Sequence, residues 1–187
     1  MRPDYSILPF KTAKAFRTWL DKNHAKSDGV WLQLYKKASD IQSVTYAEAL
    51  DEALCYGWID GQRKSHDEVS FLQKFTPRRP RSLWSKRNIQ YIERLRELGI
   101  MMPAGEAEVA RAQADGRWEA AYDGPSNMTI PESFLAELAK HPAAQAKFDA
   151  MSKSARYYIG WQLQTAKTQK TIDARTVKII NELNTAA

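Results

Sequence analysis

Cysteine is almost missing from this chain: Cys55 stands alone among 187 residues. No intramolecular disulfide can form, and nothing points to an oxidising compartment. No apolar run approaches the ~20 residues that a membrane-crossing helix needs. The opening stretch, "MRPDYSILPFKTAKAF", lacks the apolar core and small-residue cleavage site of a secretory signal. These absences lead us to expect a soluble, cytoplasmic protein with no membrane span. Histidine is scarce as well. His24, His66 and His141 stand far apart in sequence, none beside Cys55, so no zinc-spaced cluster exists. The phosphate-binding loop, the dinucleotide glycine motif, the G-x-S-x-G elbow and H-E-x-x-H are all missing. His66-Asp67-Glu68 reads as a polar turn that needs no metal. No cofactor is implied.

What is present describes a folded body. Hydrophobic residues make up 43% and aromatics 11%, a globular composition. A chain of this length buries roughly 70% of the surface its unfolded form exposes. The net charge of +6 is unevenly spread. Residues 1–60 balance, with eight cationic and eight acidic side chains. Residues 61–96 carry ten against three, 97–150 four against nine, and 151–187 six against two. A basic segment thus stands beside an acidic one, which matters for the choice of partner.

Periodicity supplies the elements. "TAKAFRTWLDKN" spaces Phe16, Trp19 and Leu20 as a helix does, and "GVWLQLYKK" alternates as a strand. "SVTYAEALDEALCYG" opens with Thr45 and Glu48 at capping-box spacing, buries Ala49, Leu50, Ala53 and Leu54, and stops at Gly57. "WIDGQRKS" and "SFLQKFT" read as two strands joined at His66-Asp67-Glu68. Ser82 is expected to cap a helix running to Leu98, with Trp84, Asn88, Tyr91, Leu95 and Leu98 on one face. Another helix follows to about Gly116, then a linker, "YDGPSNMTIP", and helical text from Pro131 with a break at Pro142. In the last stretch, Ser152 to Leu183, Lys167, Lys170, Arg175 and Lys178 form a basic arc opposite Ile172, Thr176, Ile179 and Leu183. The fold class expected is α+β: a small antiparallel sheet packed with helices, then a helical C-terminal segment. The domains expected are 1–124 and 125–187.

Three stretches, "ALCYGWIDG" (Ala53–Gly61), "FTPRRPRSLWSKRN" (Phe75–Asn88) and "MMPAGEAEVARAQADGRWEAAY" (Met101–Tyr122), resemble the YdeI/OmpD-associated family, also called bacteriocin-protection proteins. The tail "SARYYIGWQLQTAKTQKTIDARTVKII" (Ser154–Ile180) is similar to that family's C-terminal segment. The resemblance implies membership and a loose link to stress or bacteriocin tolerance, without a molecular activity.

The basic run holds the sharpest question. Arg78, Arg79 and Arg81 stand just before an expected helix start, where backbone N–H groups already make the field positive. An anion seated there reverses both terms. Guanidinium forks, the amides after Ser82 and the hydroxyls of Ser82 and Ser85 would then converge on one phosphate or carboxylate. Lys86 and Arg87 extend the charge, and Trp58 or Trp84 offers an aromatic face. The plainer readings are arginines pairing with the acidic 97–150 segment, or fanning into water. Asp60, in "CYGWIDG", is a turn residue or a proton acceptor beside the arginines, with Glu52 as its companion. Three functions follow. The first is binding of a phosphate-rich ligand, a nucleic acid or nucleotide. The second is an enzyme on a small phosphorylated or carboxylated metabolite with Asp60 as acid/base. The third is an interaction module whose basic surface meets an acidic partner or a second copy of the chain as a homo-oligomer.

Overall fold

A computed structural model describes residues 5–185. It has the expected α+β architecture, with a four-stranded sheet and eight α-helices among these residues. The chain divides into two compact units. One comprises the residues up to Ser82 together with Ile89–Trp118, and the other Leu83–Asn88 together with the residues from Glu119 onward.

The first unit begins with a short strand, β1 (Ile7–Pro9), and helix α1 (Ala13–Asn23), whose N-cap Thr12 accepts from the Ala15 amide. Strand β2 (Val30–Tyr35) follows, then α2 (Tyr46–Cys55) with the full Thr45/Glu48 capping box. Strands β3 (Trp58–Ser65) and β4 (Ser70–Pro77) form the hairpin expected around residues 66–68. The sheet order is β1-β2-β4-β3. It is not wholly antiparallel: β1 pairs parallel to β2, because the α1 crossover returns the chain in the same direction. Pro9, which has no N–H to give, sits on this edge strand.

Alternation fixes the register. Val30, Leu32 and Leu34 are buried with Phe75 on one face, and the Phe16 ring of α1 lies 5.8 Å from Phe75. Slipping β2 by one residue would expose all three aliphatic side chains, at roughly 1.5–3 kcal/mol each. Strand β3 carries a bulge between Asp60 and Arg63. The Gln73 amide holds it by donating to the Gly61 carbonyl at 2.9 Å.

Helix α3 (Lys86–Glu97) starts later than the sequence suggests. Ser82 closes a turn instead: its amide bonds the Arg79 carbonyl at 2.9 Å, and its hydroxyl accepts from the Arg79 amide at 3.0 Å. Ser85 is the capping residue, accepting from the Asn88 amide at 3.1 Å. Trp84 therefore precedes the helix. The buried residues of α3 are Ile92 and Leu95, and Leu98 is 59% exposed. Helix α4 (Pro103–Ala114) follows.

In the second unit α5 (Glu132–Leu138), α6 (Pro142–Ala150), α7 (Lys153–Gln164) and α8 (Gln169–Thr185) close around Phe134, Leu138, Phe148, Ile159, Leu163, Ile179 and Ile180. The span 152–183 is two helices rather than one. Arg175 leaves the expected basic arc: it donates to the Gln162 carbonyl and to Thr165 Oγ1, tying the start of α8 to the end of α7.

Helices α2 and α4 approach so closely that one position admits no side chain. A Cβ on Gly105 would lie 2.3 Å from the Cys55 carbonyl oxygen. Alanine gains ~1 kcal/mol of helix propensity over glycine, but overpacking costs ~1–3 kcal/mol and backbone atoms yield least. Gly105→Ala is expected to lower stability by about 2 kcal/mol and the melting temperature by roughly 4–8 °C in a thermal denaturation series. An unchanged midpoint would contradict this packing.

Candidate functional site

The basic run is divided between the two units. In the first unit Arg78 is only 6% exposed, and its amide donates to the Gly57 carbonyl at 3.0 Å. Arg79 and Arg81 are exposed at the turn. The Ser82 carbonyl accepts from Arg117 Nη1 at 3.1 Å, and Arg117 is itself held by buried Glu108 at 3.2 Å and by Asp115 at 2.7 Å. In the second unit the Trp84 carbonyl accepts from the Tyr122 amide, and the Lys86 amide donates to the Tyr122 carbonyl. The Lys86 ammonium lies 2.7 Å from Asp123. The first amides of α3 thus meet the chain's own acceptors, Tyr122 and Ser85. The helix end lies at Ser85 rather than at Ser82, which corrects the expected start. Lys86 and Arg87 remain exposed, and Ser85 is buried.

Neither candidate tryptophan offers a stacking face. Trp58 is 1% exposed, packs edge-on to Trp19 at 5.7 Å and donates from its indole to the His24 carbonyl. Trp84 is 2% exposed. Asp60 accepts from the Tyr46 hydroxyl at 2.8 Å. Its companion Glu52 pairs with Arg17 at 2.8 Å. Burial raises the Glu52 carboxyl, while the Arg17 hydrogen bond and charge pull it back down. Arg17 also donates to the Ile100 carbonyl at 2.8 Å, so this pair fastens α1 and α2 to the chain before α4. Burial pushes the Cys55 thiol up to about 11, the state of an inert core residue.

One surface escaped the sequence reading. Cross-strand pairing puts Trp31 opposite Lys74, and Gln33 and Lys64 opposite Leu72. Cross-strand partners share a face, so Trp31, Gln33, Tyr35, Lys64 and Lys74 lie on the side away from Phe75. There the Lys64 ammonium stands 4.3 Å, and the Lys74 ammonium 5.7 Å, from the centroid of the half-buried Trp31 ring. Ile7 and Pro9 extend this face on β1, opposite Trp31 and Gln33. No residue that the register assigns to it is acidic, since Asp60 pairs with Phe75 on the other side. The signal available in the sequence was the alternation of β2 itself, which sets Trp31 and Tyr35 on the side opposite Leu32 and Leu34.

Residues 8–108 match the family model of a domain of unknown function, DUF8412, and residues 127–185 match that described as bacteriocin-protection, YdeI or OmpD-associated. The chain belongs to the DUF8412 family and carries a YdeI/OmpD-associated segment. No curated protein and no solved structure matches it. Among the described residues no helix is long and apolar enough to cross a membrane.

The YdeI/OmpD-associated segment is fastened to the residues before it through Asp123, within the stretch expected to be a linker. This carboxylate accepts from Gln164 at 2.8 Å and Thr129 at 3.1 Å, besides pairing with Lys86. The Lys86 hydrogen bond first, then those of Gln164 and Thr129, hold its pKa down at about 2. A depressed carboxyl stabilises the fold above its unfolded pKa of ~3.9, and that contribution is lost as pH falls through the folded value. Lys86 is largely exposed, so we expect Asp123→Asn to cost about 1–2 kcal/mol at pH 7 in urea denaturation. The difference from the parent should close between about pH 4 and pH 2. A penalty that persists unchanged at pH 2 would contradict the assignment.

Proposed function

We propose that the first unit binds single-stranded nucleic acid across the open face of its sheet. The observation that carries this reading is Trp31 with the Lys74 and Lys64 ammoniums beside its ring, on a face to which the strand register assigns no carboxylate. A sequence-tolerant single-strand site combines a cationic track for phosphates with an aromatic surface for bases. Paired bases in a duplex present no free ring, so a half-buried indole on a sheet face favours the single strand. Lys64 covers part of the indole and must move aside for a base. Its cation–π contact is worth ~0.5–1 kcal/mol at an exposed site, less than the ~1–3 kcal/mol of base stacking. The exchange therefore favours the base, and the displaced ammonium is left beside the phosphate. Arg79 and Arg81, exposed just after β4, are the part of the arginine run still turned to solvent and supply further phosphate contacts. Bacteriocin protection, named in the description of the family matched by residues 127–185, is compatible with such a module.

Fluorescence anisotropy of a labelled single-stranded oligonucleotide, measured across a salt series, tests the reading. Trp31→Ala should weaken binding roughly 5- to 100-fold, the equivalent of one lost stacking contact. Replacing Lys64 and Lys74 by alanine should flatten the slope of log affinity against log salt by about 1.4, since each neutralised phosphate of a single strand contributes ~0.7. No binding at low salt, or affinity and slope that all three substitutions leave unchanged, would overturn it.

A further inference from the structure

The second unit holds a cleft of about 770 Å³, open to solvent, between the 125–130 stretch and the first turns of α7. Its walls are built firmly. At one end Gln164 donates to both Asp123 and the Thr129 carbonyl, which fixes the returning chain against α7. Next to it Met128 presses on Gly160, where a Cβ would come within 2.6 Å of the methionine side chain. Glycine at this helix position costs ~0.5–1 kcal/mol relative to alanine, and the close approach is what it allows. Nearer the start of α7 the two walls part, and the cleft opens.

The lining has a consistent chemistry. Lys153 and Arg156 bring two positive charges, and Ser126, Ser154 and Tyr157 bring hydroxyls. Met128 and Ile130 make the opposite wall apolar, and no carboxylate lines the space. Arg156 is not a loose surface arginine: it donates to the Asp149 carbonyl and lies 5.4 Å from the Phe148 ring centroid. Its guanidinium is held in place before any ligand arrives, which lowers the ordering cost of binding. The volume lies in the ~300–1,000 Å³ range of small-molecule sites, where apolar walls and a few placed polar groups share the work. Two cations beside an apolar and aromatic wall call for a guest with an anionic head and an apolar body.

We infer that this cleft is a binding site for a small organic anion, a carboxylate or phosphate monoester joined to an aromatic or other apolar group. It lies within the second unit and does not depend on nucleic-acid binding by the first. Phosphate monoesters and carboxylates share the recognised chemistry, and the probes separate them.

The experiment is a protein-observed NMR titration of the full chain with phenyl phosphate, benzoate, phenol and inorganic phosphate. Saturable shifts are expected at the amides of Ser126, Met128, Ser154 and Tyr157 with at least one of the two organic anions. Phenol and inorganic phosphate, each half of the guest, should bind about tenfold more weakly or not at all, a loss of ~1.4 kcal/mol. Tighter binding of phenyl phosphate would assign the phosphate class, and tighter binding of benzoate the carboxylate class. Lys153→Glu, an exposed and structurally mild change, should lower affinity at least tenfold, whereas Lys170→Glu, the same charge change outside the cleft lining, should not. The inference is overturned if neither organic anion gives saturable shifts up to ~10 mM, a range that covers millimolar affinities. It is equally overturned if Lys170→Glu weakens binding as much as Lys153→Glu does, because the effect would then be one of net charge alone.

Discussion

Burial of one sheet face against helices governs the first unit. Val30, Leu32, Leu34 and Phe75 turn toward Phe16 of α1, and α2 packs along β3 on the same side as Trp58. The next layer builds outward from those helices, with Gly105 of α4 set against the end of α2 and Arg17 reaching the Ile100 carbonyl. The side chains that alternate with the core residues are thereby left on the other side of the sheet. Their identity becomes the functional question: an indole, two lysines, a tyrosine and an amide surround the buried Leu72 and Ser70.

A second constraint decides the fate of the arginine run. Positive charge before a helix start needs a negative partner, and α3 finds its partner within the second unit, in Asp123 and in the carbonyl of Tyr122. Ser85 then completes the cap. These groups engage Lys86 and the first amides of α3. Arg78 is drawn inside, and Arg117 spends its donors on Glu108, Asp115 and the Ser82 carbonyl. Only Arg79 and Arg81 in the first unit, with Lys86 and Arg87 in the second, keep the exposure that the composition of the run suggests.

Much of the fold was legible because its signals are local. The Thr45/Glu48 box, the β2 alternation, the polar turn at residues 66–68 and the stop at Gly57 each depend on neighbours in the chain. The start of α3 was not legible, since Ser82 and Ser85 are equally good capping residues in isolation. The choice between them is made by Tyr122, far along the sequence. Strand β1 is too short to show a period, and its pairing depends on the α1 crossover. The stretch around Asp123 has the composition of a linker, and its anchoring to Gln164 is a tertiary fact. The choice between core and platform for the tryptophans is likewise a tertiary matter. Trp58 and Trp84, each two residues from a charged side chain, are buried in space, whereas Trp31 sits within an apolar strand and lies on the face away from Phe75.

The account of function therefore stands on geometry that the register of β2 and β4 creates, rather than on the run of arginines that first draws the eye. Photo-crosslinking separates the two most directly. A single-stranded oligonucleotide carrying 5-iodouracil, irradiated with the full chain and digested for mass spectrometry, reports which side chain touches a base. The account predicts a crosslink at Trp31. A crosslink confined to the segment around Arg79 and Arg81, or to the second unit, would contradict it.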